Sequence, residues 1–118
     1  MEPDFDQRFL IVAESDDNIL AFAHLGPAQE HPGDLEIYSF YAHPTHWGTG
    51  LARDFMNSVL KRARSRGYER VYLSALRESG RARRFYEIVG FQETGHTTES
   101  RFPEDGEFVV VDVEYVRA

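Results

Sequence analysis

The sequence has no cysteine, and among its 118 residues it has only one tryptophan and two methionines. The absence of cysteine excludes disulfides, thiolate metal sites and a cysteine nucleophile. No apolar run approaches the ~20 residues that a membrane-spanning helix needs, and no signal peptide opens the chain. We therefore expect a cytoplasmic protein of one domain over residues 1–118, because a chain of this length with 42% hydrophobic residues can bury a core.

Positive charge is scarce outside one segment of the chain. Residues 53–84 contain ten basic and three acidic side chains, a balance of +7. The rest has three basic and seventeen acidic side chains, a balance of −14, and the two balances sum to the net charge of −7. This separation suggests an anionic ligand near the basic segment and a cationic one elsewhere. The alternative is a set of solvated helix faces. No face interleaves aromatic and basic residues, so nucleic acid is not an expected partner.

The pattern of apolar residues predicts six strands and two helices. The first helix, over residues 51–66, carries apolar side chains every four residues from Leu51 to Ala63 and stops at Gly67. The second helix follows the loop 77–80, buries Ala82, Phe85, Tyr86 and Val89, and ends at Gly90. Strands are predicted over residues 9–14, 19–25, 35–42, 70–76, 91–98 and 108–116. The order β-β-β-α-β-α-β-β implies an α/β fold (an α+β mixed sheet) with helices on its faces.

The most informative segment joins the third predicted strand to the first helix and contains Gly48 and Gly50. Its glycines bring bare main-chain amides together at a helix N-terminus, where the helix dipole favours an anion. A pyrophosphate-bearing ligand is therefore predicted. A Walker loop is excluded because Leu51 rather than lysine follows Gly50, and a dinucleotide fingerprint needs a third glycine in register. The short Gly-x-Gly pattern alone is equally compatible with simple turn glycines.

Taken together, these residues resemble the GNAT superfamily of N-acetyltransferases. The phosphate loop of that family has the pattern Gln/Arg-x-x-Gly-x-Gly/Ala, which residues 47–52 match except at Trp47. Pro44 stands upstream of the loop, and Glu36 lies eight residues before that proline, as is common in the family. A further signature, Arg-Ala-x-x-Phe-Tyr-Glu-x-x-Gly-Phe, is matched by residues 81–91. The resemblance implies a GNAT-like acyl-CoA N-acyltransferase fold that lacks the usual N-terminal strand and two helices.

The resemblance also implies a function and a cofactor. An N-acetyltransferase of this kind moves an acetyl group from acetyl-CoA to a primary amine by direct attack, with acetyl-CoA as co-substrate and no metal. Relatives carry a bulge in the strand that corresponds to residues 35–42, which splays from the next strand to admit the cofactor. Ser79 stands where many relatives have asparagine. The implied cofactor contacts are Phe40, Tyr41 and Ala42 through backbone groups, then Trp47, Gly48, Thr49, Gly50, Leu51, Ala52 and Arg53 at the loop, and Ser79 and Tyr86.

Two side chains are candidates for the proton transfers. Glu36 is the candidate general base, because a carboxylate on a central, largely apolar strand should have a raised pKa. The alternative is a carboxylate paired with an arginine at the sheet edge. Tyr86 is the candidate acid that protonates the CoA thiolate, a role that the resemblance implies. Its spacing alone predicts a core tyrosine with its hydroxyl at the rim.

Several alternatives stay open on the sequence alone. The chain could be a non-catalytic module that binds or senses acyl-CoA, or a half-enzyme whose acceptor wall comes from another chain. Because only eight residues precede the first predicted strand, we expect a homodimer or a complex that covers an open sheet edge. His43 and His46 are not expected to bind a metal, since no third ligand is suggested nearby. The acceptor could be a peptide N-terminus, lysine, a polyamine or an amino sugar.

Overall fold

Six strands and two α-helices make up the part of the chain that the computed structural model describes, residues 8–102, 104 and 106–118. The strands belong to one mixed sheet, which confirms the predicted fold class and element order. The chain divides between Val71 and Tyr72 into two compact units. The elements are β1 (Phe9–Ser15), β2 (Asn18–Pro27), β3 (Leu35–Ala42), a 3-10 turn (Pro44–His46), α1 (Leu51–Ser65), β4 (Val71–Leu76), α2 (Gly80–Ile88), β5 (Gln92–Phe102) and β6 (Phe108–Arg117).

In the first unit, β1, β2 and β3 form an antiparallel array in that order. The turn between β1 and β2 has Asp16 and Asp17 at positive φ, 51° and 64°. Aspartate tolerates this left-handed conformation, and such a turn matches the twist of the two strands. A tight hairpin therefore joins β1 to β2 at the predicted position.

Helix α1 supplies the core of the first unit. Its predicted apolar stripe is buried at Phe55, Met56, Val59, Leu60 and Ala63, whereas Leu51 at its first turn is half-buried. The Phe55 ring lies 5.7 Å from the ring of Phe40 on β3, centroid to centroid. Helix α1 therefore packs on the face of the strands from which the Phe40 ring projects, and the polar side of the helix stays in solvent.

Strand β3 carries the bulge that the resemblance implied. His24 pairs with Ser39 and Leu25 pairs with Ile37, so three residues of β3 oppose two of β2. Tyr38 is the extra residue. A bulge reverses the alternation of side chains beyond it, and therefore Glu36 and Tyr41 lie on the same face of β3 although their numbers differ in parity. That face is the one opposite to Phe40 and α1.

In the second unit the strand order is β4-β6-β5, with β5 and β6 antiparallel. Their pairing is irregular between Glu93 and Thr97, where Gly95 has φ 92°. Strand β5 continues to Phe102, four residues beyond the prediction, because its pairing with β6 continues to the Phe102–Phe108 pair. Helix α2 is less buried than expected: Ala82, Phe85 and Tyr86 are half-buried, and only Val89, just after the helix, is buried.

Candidate active site

The loop between β3 and α1 is held together mainly by its own backbone. The amide of His46 donates to the His43 carbonyl at 2.9 Å, and that of Trp47 donates to the Pro44 carbonyl at 3.1 Å. His43 caps this turn, since its Nδ1 accepts a hydrogen bond from the Thr45 amide at 3.2 Å. The amide of Thr49 then donates to the His46 carbonyl at 3.2 Å. The loop is consequently a sequence of tight turns with little freedom.

Gly48 and Gly50 supply the turns that no other residue type makes easily. Their φ angles are 82° and 90°, in the left-handed region that a side chain disfavours. A Cβ built at either glycine has no atom within 4 Å, so the space beside both is open. A ligand can therefore approach the main chain of this loop closely, as the Gly-x-Gly pattern predicts.

Helix α1 begins at this loop and presents its first amides toward that space. Leu51, Ala52 and Arg53 form its first turn, whose amides have no carbonyl within the helix to bond. The Leu51 amide lies 3.4 Å from Thr49 Oγ1, and Asp54 is the first residue to bond backward, to the Gly50 carbonyl at 3.0 Å. The helix dipole adds partial positive charge there. The N-terminal end of α1 thus has the properties of an anion-binding site.

The end of β3 runs directly into this loop. The ring of Tyr41 stacks on Phe22 at 5.3 Å between centroids, while Phe40 packs on α1. The indole of Trp47 donates from Nε1 to the Ala42 carbonyl at 2.9 Å, which closes the loop back onto the strand. The side chains of Phe40 and Tyr41 thus pack within the first unit, and the indole of Trp47 bonds the strand end.

Glu36 lies on β3 below the bulge, half-buried and opposite Gly26. Its carboxylate acts electrostatically on Tyr38, whose hydroxyl donates to the Pro27 carbonyl. Burial raises the pKa of Tyr38 and the Glu36 carboxylate raises it further, while Arg8 acts in the opposite direction. The guanidinium carbon of Arg8 lies 4.5 Å from the centre of the Tyr38 ring. Glu36 is therefore part of a small polar group rather than an isolated carboxylate.

Gly26 makes room for that polar group. A Cβ at Gly26 would lie 2.7 Å from Tyr38 Cε2 and 2.8 Å from Arg8 Cγ, closer than real contacts permit. Only glycine therefore lets the Tyr38 ring lie over β2 beside Glu36. Sequence reasoning did not single out Tyr38, although the expected bulge was a signal that one residue of β3 would depart from the strand pattern.

The second unit carries the two remaining candidates. Ser79 is the N-cap residue of α2, but its side chain makes no capping hydrogen bond. Tyr86 lies half-buried on the same helix, with its ring centre 6.0 Å from that of Phe91 and 6.2 Å from that of Tyr115. Burial raises the pKa of Tyr86 above the ordinary tyrosine value of 10.0. The hydroxyl therefore keeps its proton at neutral pH, which a proton donor requires.

Comparison with known proteins decides the family. A family model for the acetyltransferase (GNAT) family matches residues 1–91, well over half of the 118-residue chain. The chain belongs to the GNAT acetyltransferase family. It is 32% identical over 88 residues to N-acetyltransferase family 8 member 2 of Rattus norvegicus, which covers 72% of this chain and 39% of that relative. This GNAT chain therefore spans about two fifths of the length of the curated relatives it matches.

Solved structures share the fold of this GNAT chain. The ribosomal-protein-S18-alanine N-acetyltransferase of Escherichia coli superposes with a TM-score of 0.75 at 16% identity, covering 98% of this chain and 70% of that one. An acetyltransferase of Bacillus subtilis, solved in complex with CoA, gives 0.73 at 15% identity, covering 92% of this chain and 74% of that one. At these identities the likeness shows the fold alone, and the GNAT-like fold that the sequence predicted is confirmed.

The two units of the GNAT chain divide the predicted site residues between them. Glu36, the end of β3 and the loop through Arg53 all lie in the first unit, whereas Ser79 and Tyr86 lie on α2 in the second. Among the residues that the structure describes, no three histidine or acidic side chains cluster as metal ligands would. Neither described helix has the length and apolar character needed to cross a membrane.

A side-chain cluster around α2, which we call the Tyr115 cluster, was missed by sequence reasoning. Tyr115 is fully buried on β6, and its hydroxyl accepts from Arg83 Nε at 3.0 Å and lies 3.1 Å from Glu87 Oε2. Arg83 also donates to Glu93 on β5 and to the Arg77 carbonyl, the latter at 3.1 Å. Hydrogen bonds to Tyr115 and to Glu93 raise the pKa of Arg83.

The Tyr115 cluster joins three elements of the second unit and sets the position of α2. Arg83 and Tyr86 are three residues apart and lie on neighbouring turns of one helix face. Tyr115 contacts both, because its hydroxyl bonds Arg83 while its ring packs near that of Tyr86. Burial raises the pKa of Tyr115, the hydrogen bond from Arg83 lowers it, and Glu87 raises it again. The candidate acid thus lies on a helix that is fixed by charged hydrogen bonds.

Proposed function

We propose that this chain is a single acetyltransferase domain over residues 1–118 that transfers an acetyl group from acetyl-CoA to a primary amine by direct attack. The observation that carries this proposal is the pair of open glycines, Gly48 and Gly50, at the start of α1. Family membership supports acetyl transfer, and the anion-favouring helix end supports a cofactor with phosphate groups.

In the proposed complex, the pyrophosphate of acetyl-CoA lies on the main chain from Gly48 to Arg53. Arg53 adds a charge-assisted contact from its exposed side chain. The pantetheine follows the backbone of Phe40, Tyr41 and Ala42 on β3, and a main-chain amide there polarises the thioester carbonyl. Ser79 contacts the cofactor from the N-terminus of α2. The related B. subtilis acetyltransferase was solved with CoA, which agrees with this choice of cofactor.

Glu36 acts as the general base, through a water molecule. It removes the proton from the acceptor ammonium, and the freed amine nitrogen then attacks the thioester carbonyl carbon. Its half-buried place on β3, close enough to Tyr38 to raise the pKa of that hydroxyl, supports a carboxylate that belongs to a polar group and not to the free surface.

Tyr86 supplies the last proton. When the carbon–sulfur bond breaks, the CoA thiolate takes the hydroxyl proton of Tyr86. The attacking nitrogen loses its second proton to solvent as the amide forms, and a solvent proton restores the Tyr86 hydroxyl. The Tyr86 hydroxyl is protonated at neutral pH, as a proton donor must be, and burial, which raises its pKa, keeps it protonated to higher pH. No covalent enzyme intermediate is needed, and holding amine and thioester together supplies much of the rate.

A screen of primary amines for thiol release from acetyl-CoA tests the proposed function. We expect at least one amine to stimulate thiol release well above the rate without acceptor, together with binding of acetyl-CoA in calorimetry. Binding of acetyl-CoA with no stimulation by any amine would instead identify a non-catalytic acyl-CoA-binding module. Absence of binding would contradict the proposal outright.

We also propose that a second copy of the chain covers the open face of the first three strands. Leu10 and Tyr41 are exposed on that face, next to the half-buried Phe22, and an exposed apolar patch favours association. Light scattering at micromolar concentration should give the mass of a dimer. A monomer with full acetyltransferase activity would contradict the proposed dimer.

A further inference from the structure

The ring of Tyr38 takes the place of a cross-strand neighbour for Glu36. Glu36 pairs with Gly26 on β2, and directly opposed residues of antiparallel strands have their Cβ atoms about 5 Å apart. Gly26 has no side chain, and a Cβ built there would lie 2.7 Å from Tyr38 Cε2. The edge of the Tyr38 ring therefore lies where that neighbouring side chain would be, next to Glu36.

Contacts on several sides fix the Tyr38 ring in this position. The Tyr38 hydroxyl donates to the Pro27 carbonyl on β2. The guanidinium carbon of Arg8 lies 4.5 Å from the ring centre, within the range of a cation–π contact. The imidazole centre of His24 lies 5.6 Å from the same ring centre, with its plane tilted by 52°. Because a hydrogen bond, a cation and a second ring all hold it, the Tyr38 ring has little freedom to move.

The ring limits where the Glu36 carboxylate can go. The bare backbone at Gly26 would otherwise leave space over β2 into which the Glu36 side chain could turn. That space is filled by the Tyr38 ring and by the Arg8 side chain, whose Cγ lies 2.8 Å from the same built Cβ. Side chains in strands stand roughly perpendicular to the sheet. The filled space keeps Glu36 in that orientation, on the face of β3 that it shares with Tyr41.

The electrostatics of the first unit agree with this geometry. Burial is the main reason that the pKa of Tyr38 is raised, and the Glu36 carboxylate is the next. Charges that are separated by more than a Debye length, ~8 Å at physiological ionic strength, are largely screened. The carboxylate and the phenol are therefore close neighbours, as the pairing of Glu36 with Gly26 requires.

We propose that Tyr38 is a positioning residue for acetyl transfer: its ring, held over Gly26, keeps the Glu36 carboxylate in the orientation from which it removes the proton of the acceptor ammonium through water. The inference rests on the proposed role of Glu36 as general base and adds a residue that acts through it. Proton transfer depends on geometry first, and a displacement of about 1 Å can cost about 100-fold in rate. Loss of the ring should therefore lower turnover and leave the binding of acetyl-CoA unchanged.

A double-mutant cycle between Tyr38 and Glu36 tests the inference by kinetics. Tyr38→Leu should lower kcat about tenfold with an unchanged calorimetric Kd for acetyl-CoA, whereas Tyr38→Phe, which keeps the ring, should retain at least about half of the wild-type kcat. In the Glu36→Gln background, Tyr38→Leu should have no further effect, because it acts only through the carboxylate. A tenfold loss that persists without the carboxylate would show a merely structural role and overturn the inference.

Phe9→Leu is the matched control for Tyr38→Leu. The Phe9 ring centre lies 4.2 Å from the guanidinium carbon of Arg66, so it has a similar cation–π contact in the same unit. Arg66 is the C-cap residue of α1, and this second pair does not adjoin Glu36. Phe9→Leu should therefore leave kcat unchanged, and an equal loss of kcat in the two variants would contradict a specific role for Tyr38.

Proton NMR of the free protein tests the geometry without turnover. An aromatic ring shifts the resonances of protons beside it, so the γ-methylene resonances of Glu36 should move in Tyr38→Leu and stay in place in Phe9→Leu. Gly26→Ala should also move them, since its Cβ displaces the ring, and Gly26 is not among the glycines at positive φ, so alanine fits the backbone. Glu36 resonances that do not respond to Tyr38→Leu would overturn the inference.

The failure of this inference can be told from the failure of the proposed function. If Glu36→Gln loses turnover but neither Tyr38→Leu nor Gly26→Ala does, the proposed function stands and the positioning role of Tyr38 is wrong. If Glu36→Gln keeps full turnover, the proposed base is wrong and the positioning role fails with it, even where the ring shifts are seen.

Discussion

The loop from His43 to Gly50 and the Tyr115 cluster keep their shapes in different ways. The loop depends on backbone: successive main-chain hydrogen bonds of 2.9–3.2 Å and two glycines at positive φ. The Tyr115 cluster depends on side chains: one arginine, one tyrosine and two glutamates, drawn from α2, β5 and β6.

This difference has a consequence for what each region can do. A main-chain cradle offers several N–H donors in fixed positions, so it suits a ligand with many equivalent oxygens, such as a pyrophosphate. A cluster of charged side chains instead fixes a helix at one position with specific contacts, which suits the placement of a single reacting group such as the Tyr86 hydroxyl. The loop should therefore be sensitive to backbone changes, and the cluster to the loss of single functional groups.

The largest effect is expected for Glu36→Gln. Glu36 lies in the first unit, and we propose for it a chemical rather than a binding role. Turnover should fall by about 10²–10³-fold, the range for loss of a general base, while the calorimetric Kd for acetyl-CoA stays constant. The wild-type rate should rise with pH through an apparent pKa that the variant lacks. Glu14→Gln on the exposed end of β1 is the control. A weaker affinity with unchanged turnover would show that side chains as well as backbone bind the cofactor in this unit.

A change at Gly50 tests the backbone dependence of the loop. Gly50→Val should raise the Kd for acetyl-CoA about 100-fold, because a side chain blocks close approach and disfavours φ 90°. Gly33→Val is a matched control: Gly33 also has φ 90° and no atom within 4 Å of a built Cβ, but it lies in the loop before β3. Calorimetry with equal losses in the two variants would attribute the effect to strain in the fold instead of to the binding site.

Tyr86→Phe should reduce turnover by about 100-fold, the lower end of the effect of losing one general acid, with little change in the Kd for acetyl-CoA. The acid form is the active one. Because burial raises the pKa of Tyr86, the wild-type rate should stay level once the rise that depends on Glu36 is complete, and it should fall only above pH 10.0, the ordinary tyrosine value. Tyr72→Phe, at a buried tyrosine of β4, is the control. A decline in the wild-type rate that begins near pH 8 would identify a different acid.

The smallest effect is expected for Tyr115→Phe, which removes one buried hydroxyl and keeps the ring. The free energy of unfolding should fall by about 2 kcal/mol, since Arg83 and Glu87 each lose a partner. Urea denaturation measures this loss. Thr94→Val is the control, because it removes an exposed hydrogen bond of 2.8 Å from Thr94 on β5 to Glu114 on β6. An unchanged stability would mean that the cluster does not hold α2.

The residues that sequence reasoning found, and those it missed, differ in the same way. The loop was predictable because its signals are local: two glycines stand between an apolar strand and an amphipathic helix, all within a few neighbouring residues. Arg83 and Tyr115 are 32 positions apart in the sequence, so their contact depends on how β6 meets α2. The open depression that Leu76 and Val109 line likewise depends on β4 and β6 lying side by side in the sheet. Tyr38 was missed because a bulge in β3 could be expected from the resemblance but not assigned to one residue.

The central claim is that the main chain from Gly48 to Arg53 binds the pyrophosphate of acetyl-CoA. Calorimetric titration of the unmodified protein with acetyl-4′-phosphopantetheine, and separately with acetyl-pantetheine, tests it most directly, because the two compounds differ only in the phosphate that is the inner half of the pyrophosphate. We predict that acetyl-pantetheine binds at least about 100-fold more weakly, which corresponds to ~2.7 kcal/mol of lost phosphate contacts. Equal affinities for the two compounds would contradict the claim.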